Sequence, residues 1–191
     1  MKKIIIIAAI VLAPVMSFGQ SIFDKFEDME GVTSVVVNQK MFSMLANIEI
    51  NTDDAETQEY IDMIKNISSL KVLTTGDAKI AAEMNAKVDS YLASSSLDEL
   101  MRIKDGDQTV KFYVREGKDE NHVKELLMFA NGLKELTKDQ DISINGQKRE
   151  IETVLLTLVG DIDLRQVSKL TNKMNVPGGK HLEKAGNKNK N

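Results

Sequence analysis

The residues of this 191-residue chain whose types and spacing could do chemistry are mainly carboxylates. The chain has 29 Asp and Glu, two His and no Cys. A thiolate nucleophile, a thiolate-held metal and a disulfide are therefore excluded. The acidic motif that stands out is Gly160-Asp161-Ile162-Asp163, at the end of the apolar run Leu155–Val159. Two carboxylates one residue apart could contribute to a hard-cation site, but such ions take about six or more oxygens and only two are in view. A structural reading uses every residue of the motif. With Asp163 as a helix cap, Gln166 stands at the third helical position, where it can reach back to the cap's amide. Ile162 then faces Val167 as a hydrophobic staple. Both aspartates also lie at the positive end of the helix dipole, where an acid is stabilised by about 0.3–1 kcal/mol. The motif is read as a joint between a strand and a helix.

The other candidates have similar explanations. Asp105 and Asp107 flank Gly106 in a hairpin turn and lack the further oxygens of an EF-hand loop. Asp53, Asp54 and Glu56 begin a helix, with Glu56 three residues after the capping Asp53. The paired carboxylates of a glycosidase meet in space rather than in sequence. A chain that is 5% aromatic, however, offers little for a sugar-stacking cleft. His181 lies in a basic tail, and His122, beside Asp119 and Glu120, reads as a solvated turn residue. A Gly-x-Ser-x-Gly elbow, a phosphate-binding glycine loop and a dinucleotide fingerprint are all missing from the sequence. Methionines such as Met41, Met44, Met63, Met84 and Met128 could line an adaptable groove, but at these spacings they read as core filling. No catalytic residue, metal ligand or cofactor is assigned.

The elements that would position these residues follow from periodicity. Ile22–Met29 puts Ile22, Phe23, Phe26 and Met29 on one face of a short lead-in helix. Val32, Val35, Val36 and Val37 read as a strand. Met41, Phe42, Met44 and Leu45 read as a short helix with one buried side. Tyr60, Ile61, Ile64 and Ile67 form the stripe of a second helix. A strand over Ser69–Thr75 then ends at Gly76, and Asp77 caps a longer helix carrying Ile80, Ala81, Met84, Val88, Tyr91 and Leu92. After Ser94-Ser95-Ser96 come strands: a hairpin about Asp105-Gly106-Asp107, a strand from His122, and a hairpin at Asn145-Gly146, where both residues tolerate positive φ. A last helix spans Asp163 to about Met174. This order predicts an α+β fold, a mostly antiparallel sheet with helices packed on one face.

Residues 1–19 read as a signal peptide: Lys2 and Lys3, an apolar run to Met16 too short to span a bilayer, and small Ser17 and Gly19 before the cut. Removing them takes two lysines and no acid from the 25 basic and 29 acidic residues, so the net charge becomes −6. Residues 20–175 are expected to form a single acidic domain, and 176–191 a disordered basic tail. An acidic body argues against nucleic acid as a partner. After signal cleavage no membrane span is expected.

The leader ending Ser17-Phe18-Gly19-Gln20, the stretch Val32–Leu45 and the late Gly160–Leu170 together resemble the secreted Bacteroidetes family catalogued as domain of unknown function 4252. The resemblance covers about Phe23 to Met174 and implies an envelope location and an α+β domain, with no catalytic residues to transfer. The expected function is a non-enzymatic secreted or periplasmic module that binds another envelope component, such as a periplasmic protein. The alternatives are an envelope hydrolase using carboxylates and a carrier of a small apolar ligand.

Overall fold

A computed structural model describes residues 21–46, 55–138, 143–144, 147–148 and 150–167. A 3-10 helix, Ser21–Phe26, leads into β1 (Val32–Asn38), α1 (Gln39–Ala46), α2 (Ala55–Lys65), β2 (Ile67–Thr75) and α3 (Ala78–Ser94). Then follow β3 (Asp98–Asp105), β4 (Gln108–Glu116), β5 (His122–Asn131), the short α4 (Lys134–Thr137), β6 (Ser143–Ile144), β7 (Gln147–Lys148) and β8 (Thr153–Asp163). A helical turn at 164–167 closes the described chain. Six strands form one sheet in the order β1-β2-β8-β5-β4-β3, every pair antiparallel. β6 and β7 pair separately. The fold is α+β.

The period-2 pattern of the strands sorts their side chains onto two faces. On the first, Leu73, Leu155, Phe129, Leu127 and Tyr113 form one core with Met84, Val88 and Tyr91 of α3 and with Phe23 and Phe26 of the lead helix. Phe23 and Phe26 are fully buried, and each such side chain stabilises the fold by about 1.5–3 kcal/mol. Asp77 fixes the start of α3 by accepting hydrogen bonds from the amides of Lys79 (2.8 Å) and Ile80 (3.0 Å). Ala81, Met84, Val88 and Tyr91 are the buried stripe that follows. Gly106, at φ 56°, turns the β3–β4 hairpin between the paired Asp105 and Gln108.

Several expectations need correcting. The lead-in element is a 3-10 helix ending at Phe26, not a helix to Met29. Ile67 opens β2 rather than closing the stripe of α2, of which Ile61 is buried. α1 buries only Phe42 and leaves Met41, Met44 and Leu45 exposed. Amphipathic spacing alone cannot say how wide a helix face its neighbours cover. Ser143 pairs with Lys148 and Ile144 with Gln147, while the Asn145-Gly146 turn between them lies outside the described residues. Residues 1–19, Asp53, Asp54 and the 176–191 tail with His181 also lie outside them.

Candidate functional site

The Gly160–Asp163 motif lies within β8 itself, which runs on to Asp163. The amide of Asp161 donates to the carbonyl of Asn66 (3.0 Å), and Asp163 pairs across the sheet with His122. The strand therefore runs through the motif, with the turn after α2 as a partner for its backbone, and the helical turn begins directly after Asp163. Asp163 still acts as a cap, accepting from the amide of Arg165 (2.9 Å). Gln166 does not reach back: its Nε2 donates to Glu59 of α2 at 2.8 Å. No capping box forms. Ile162 and Val167 do meet in one apolar cluster, as a staple requires.

An open cleft of about 210 Å³ lies here, lined by Glu59, Asp62, Met63, Asn66, Lys118, His122, Asp161, Asp163 and Gln166. Three of its four acids and its histidine have charged partners. Lys118 Nζ sits 2.6 Å from Asp161, and Lys65 sits 3.1 Å from Asp62. Arg165 holds Asp163 at 2.6 Å, and His122 Nδ1 lies 2.7 Å from Asp119. Burial pushes the Asp163 carboxyl up, but the hydrogen bonds and charge of Arg165 outweigh it and hold the group below the usual carboxylate range. Asp119 is lowered first by its bond to His122 and then by the Asn121 amide. Among the described residues no group of three His, Cys, Asp or Glu is placed to hold a metal ion. Asp105 and Asp107 stay at the far hairpin. His122 is only 17% exposed in its side chain, so it is less solvated than a turn residue was expected to be.

A second polar cluster went unnoticed in the sequence. Glu125 of β5 is buried and accepts from the Tyr91 hydroxyl with both oxygens (2.8 and 2.9 Å). Arg115 Nη2 of β4 lies 2.9 Å from the same carboxylate, and its Nη1 donates to Ser96 (2.9 Å). Burial first, then the bond to Glu125, pushes the Tyr91 phenol up to about 12. The arrangement neutralises one carboxylate with one guanidinium. Acid–base hydrolysis of a glycoside instead takes two carboxylates flanking a cleft. The available sequence signal was an acid at the start of the apolar run of β5, on the same strand face as Leu127 and Phe129. On the same side of the sheet, buried Lys71 is held by Asp24 and Glu27, both at 2.5 Å, which ties the lead helix to β2.

The second face of the sheet is of a different character. The strand registers align Val35, Val72, Leu156, Met128, Phe112 and Met101 in one row across all six strands. Rows on either side hold Val37, Leu70, Leu158, Leu126 and Val114, and Thr33, Thr74, Val154, Ala130, Val110 and Ile103. Leu164 and Val167 pack at one corner of this face. Val72, Leu156, Met128 and Met101 remain partly exposed, and Val35 is exposed. The buried polar residues Lys71, Thr75, Glu125, Thr153 and Thr157 belong to the helix-covered face. Of the methionines, Met84 fills the core and Met128 lies in the apolar row, while Met41 and Met44 are exposed.

Among the described residues no helix is long and apolar enough to cross a membrane. No curated protein and no solved structure matches the chain. A family model does match, over residues 26–170. That span takes in the whole sheet and the turn after β8, so the chain belongs to the family described as domain of unknown function DUF4252.

Proposed function

We propose that this protein is a non-enzymatic binding module of the cell envelope that docks another envelope component on the apolar face of its sheet. The observation that supports this is the row Val35, Val72, Leu156, Met128, Phe112 and Met101, which crosses all six strands and in which every side chain but the buried Phe112 is at least partly exposed. Apolar area costs about 25 cal/mol per Å² to keep in water, so contiguous rows of it mark a surface with an occupant. The polar cleft beside Asp163 supports this reading less, since Asp62, Asp161 and Asp163 already have cationic partners and Glu59 is bonded to Gln166. A carrier of a small apolar ligand would use an enclosed apolar cavity, whereas these rows lie on a sheet face. The leader supports export, and the exported chain should have the mass of a protein beginning at Gln20.

The test uses a photo-crosslinking residue in place of Leu156 or Val72, with the exposed Lys79 of α3 as control. The two face positions should each give the same discrete adduct with one envelope protein, and Lys79 should not. Equal labelling from Lys79, or no adduct from the face, would remove the basis of the proposal.

A further inference from the structure

We infer that β1 pairs with β1 of a second copy of this chain, antiparallel about Val35, so that two sheets join into one. Among the described residues the sheet has two edges, β1 and β3, and they are built differently. Edge strands present unpaired backbone groups and are usually blunted by charge, proline or a bulge. β3 has such protection: Asp98, Glu99, Arg102, Lys104 and Asp105 lie along it, and its register shifts between Glu99 and Met101. β1, Val-Thr-Ser-Val-Val-Val-Asn, has no charge and no proline, and its seven residues pair with β2 without a break. Its Val35 and Val36 are 51% and 49% exposed and point to opposite faces of the sheet.

The partner is a second copy because the sequence around this edge is self-complementary. In an antiparallel pairing centred on Val35, Ser34 meets Val36, Thr33 meets Val37 and Val32 meets Asn38, so no charge faces another within the strand. Just outside the strand each copy carries the exposed Glu30 before it and the exposed Lys40 after it, so the antiparallel two-fold brings the acidic end of one β1 toward the basic end of the other, twice. The joined sheet also continues the apolar row through Val35 into the second copy. This inference stands apart from partner docking on the sheet face, which a monomer could equally perform.

The experiment is light scattering on the purified exported chain from micromolar to hundreds of micromolar, where twice the monomer mass is expected at the upper end. Val35→Lys, which sets two lysines against each other at the axis, should leave a monomer that melts where the wild-type chain does at micromolar concentration. Glu30→Lys should weaken the dimer, and adding Lys40→Glu should restore it. Since the chain has no cysteine, Val35→Cys provides a single reporter. Symmetric antiparallel partners have Cα atoms about 4.5–5.5 Å apart, within disulfide reach. Mild oxidation should therefore link Val35→Cys into dimers but leave Ile103→Cys unlinked. A monomer at every concentration would overturn the inference. So would a dimer that survives Val35→Lys and fails to cross-link through Val35→Cys. Either result leaves the Leu156 and Val72 cross-links as an independent measure of docking on the sheet face.

Discussion

Asp163 holds two partners on one residue, the Arg165 amide and the Arg165 guanidinium. The first is a helix cap, and losing it in Asp163→Ala should cost about 0.5–2 kcal/mol, read from urea unfolding. Asp163→Asn still accepts the amide and should cost less, because a largely exposed guanidinium pair adds little. The carboxyl is depressed in the fold. Its contribution is therefore complete above the ordinary carboxylate range and fades as pH falls through the folded value. The deficit of Asp163→Asn should accordingly shrink in acid. Millimolar calcium or magnesium should not raise the melting temperature; a rise abolished by both Asp161→Asn and Asp163→Asn would instead make the motif a cation site. Glu125 poses the opposite problem, a charge inside the protein. Removing its counter-ion with Arg115→Met should cost toward the lower end of about 3–5 kcal/mol, since Arg115 keeps 32% of its side chain exposed. Tyr91, raised to about 12, favours the neutral phenol in the fold. Its stabilisation is complete below its ordinary value of 10.0 and is lost as pH rises through the folded value. Stability should therefore decline in strong alkali, and Tyr91→Phe should flatten that slope.

At the scale of elements, β8 depends on a glycine that the motif reading passed over. Gly160 sits at φ 154°, and a Cβ placed there would lie 2.2 Å from the carbonyl oxygen of Asn66. The turn after α2 thus comes into backbone contact with β8, which is what lets Asp161 donate to Asn66. Gly160→Ala should force the two apart at a cost of about 1–3 kcal/mol. The same variant should disturb the bond between Gln166 and Glu59, which spans the same gap. Unchanged urea unfolding in Gly160→Ala would mean that β8 and the α2–β2 turn can separate freely. α1 shows the complementary case: its single buried anchor, Phe42, suffices to seat a helix whose other apolar residues face outward.

Across the whole molecule, β8 is the strand that makes one sheet out of two local units. β1 and β2 pair near one another, and β3, β4 and β5 form a meander in chain order. They meet only where β8 pairs with β2 on one side and β5 on the other. The sheet is thus completed by its last strand, through contacts far apart in sequence, the kind that close slowly. The result is an unusual division of polarity. Helix α3 and the lead helix cover the face that carries Glu125, Lys71 and the buried threonines, whereas the nearly unbroken apolar rows lie opposite.

Local chemistry made much of this legible in the sequence. The Asp77 cap and the stripe from Ala81 to Tyr91 placed α3, Gly106 placed the β3–β4 hairpin, a β-branched run placed β1, and short apolar runs placed β2 and β8. Each depends on residues within a few positions of one another. The tertiary structure alone decided what these elements meet. It put β8 between β2 and β5, brought Arg115 and Tyr91 to Glu125, drew Gln166 away to Glu59, and left Met41 and Met44 outside. Periodicity states which side chains share a face, but what covers that face is decided by elements elsewhere in the chain. The apolar row from Val35 to Met101 exists only because six strands come into register, and no single strand contains more than one of its residues.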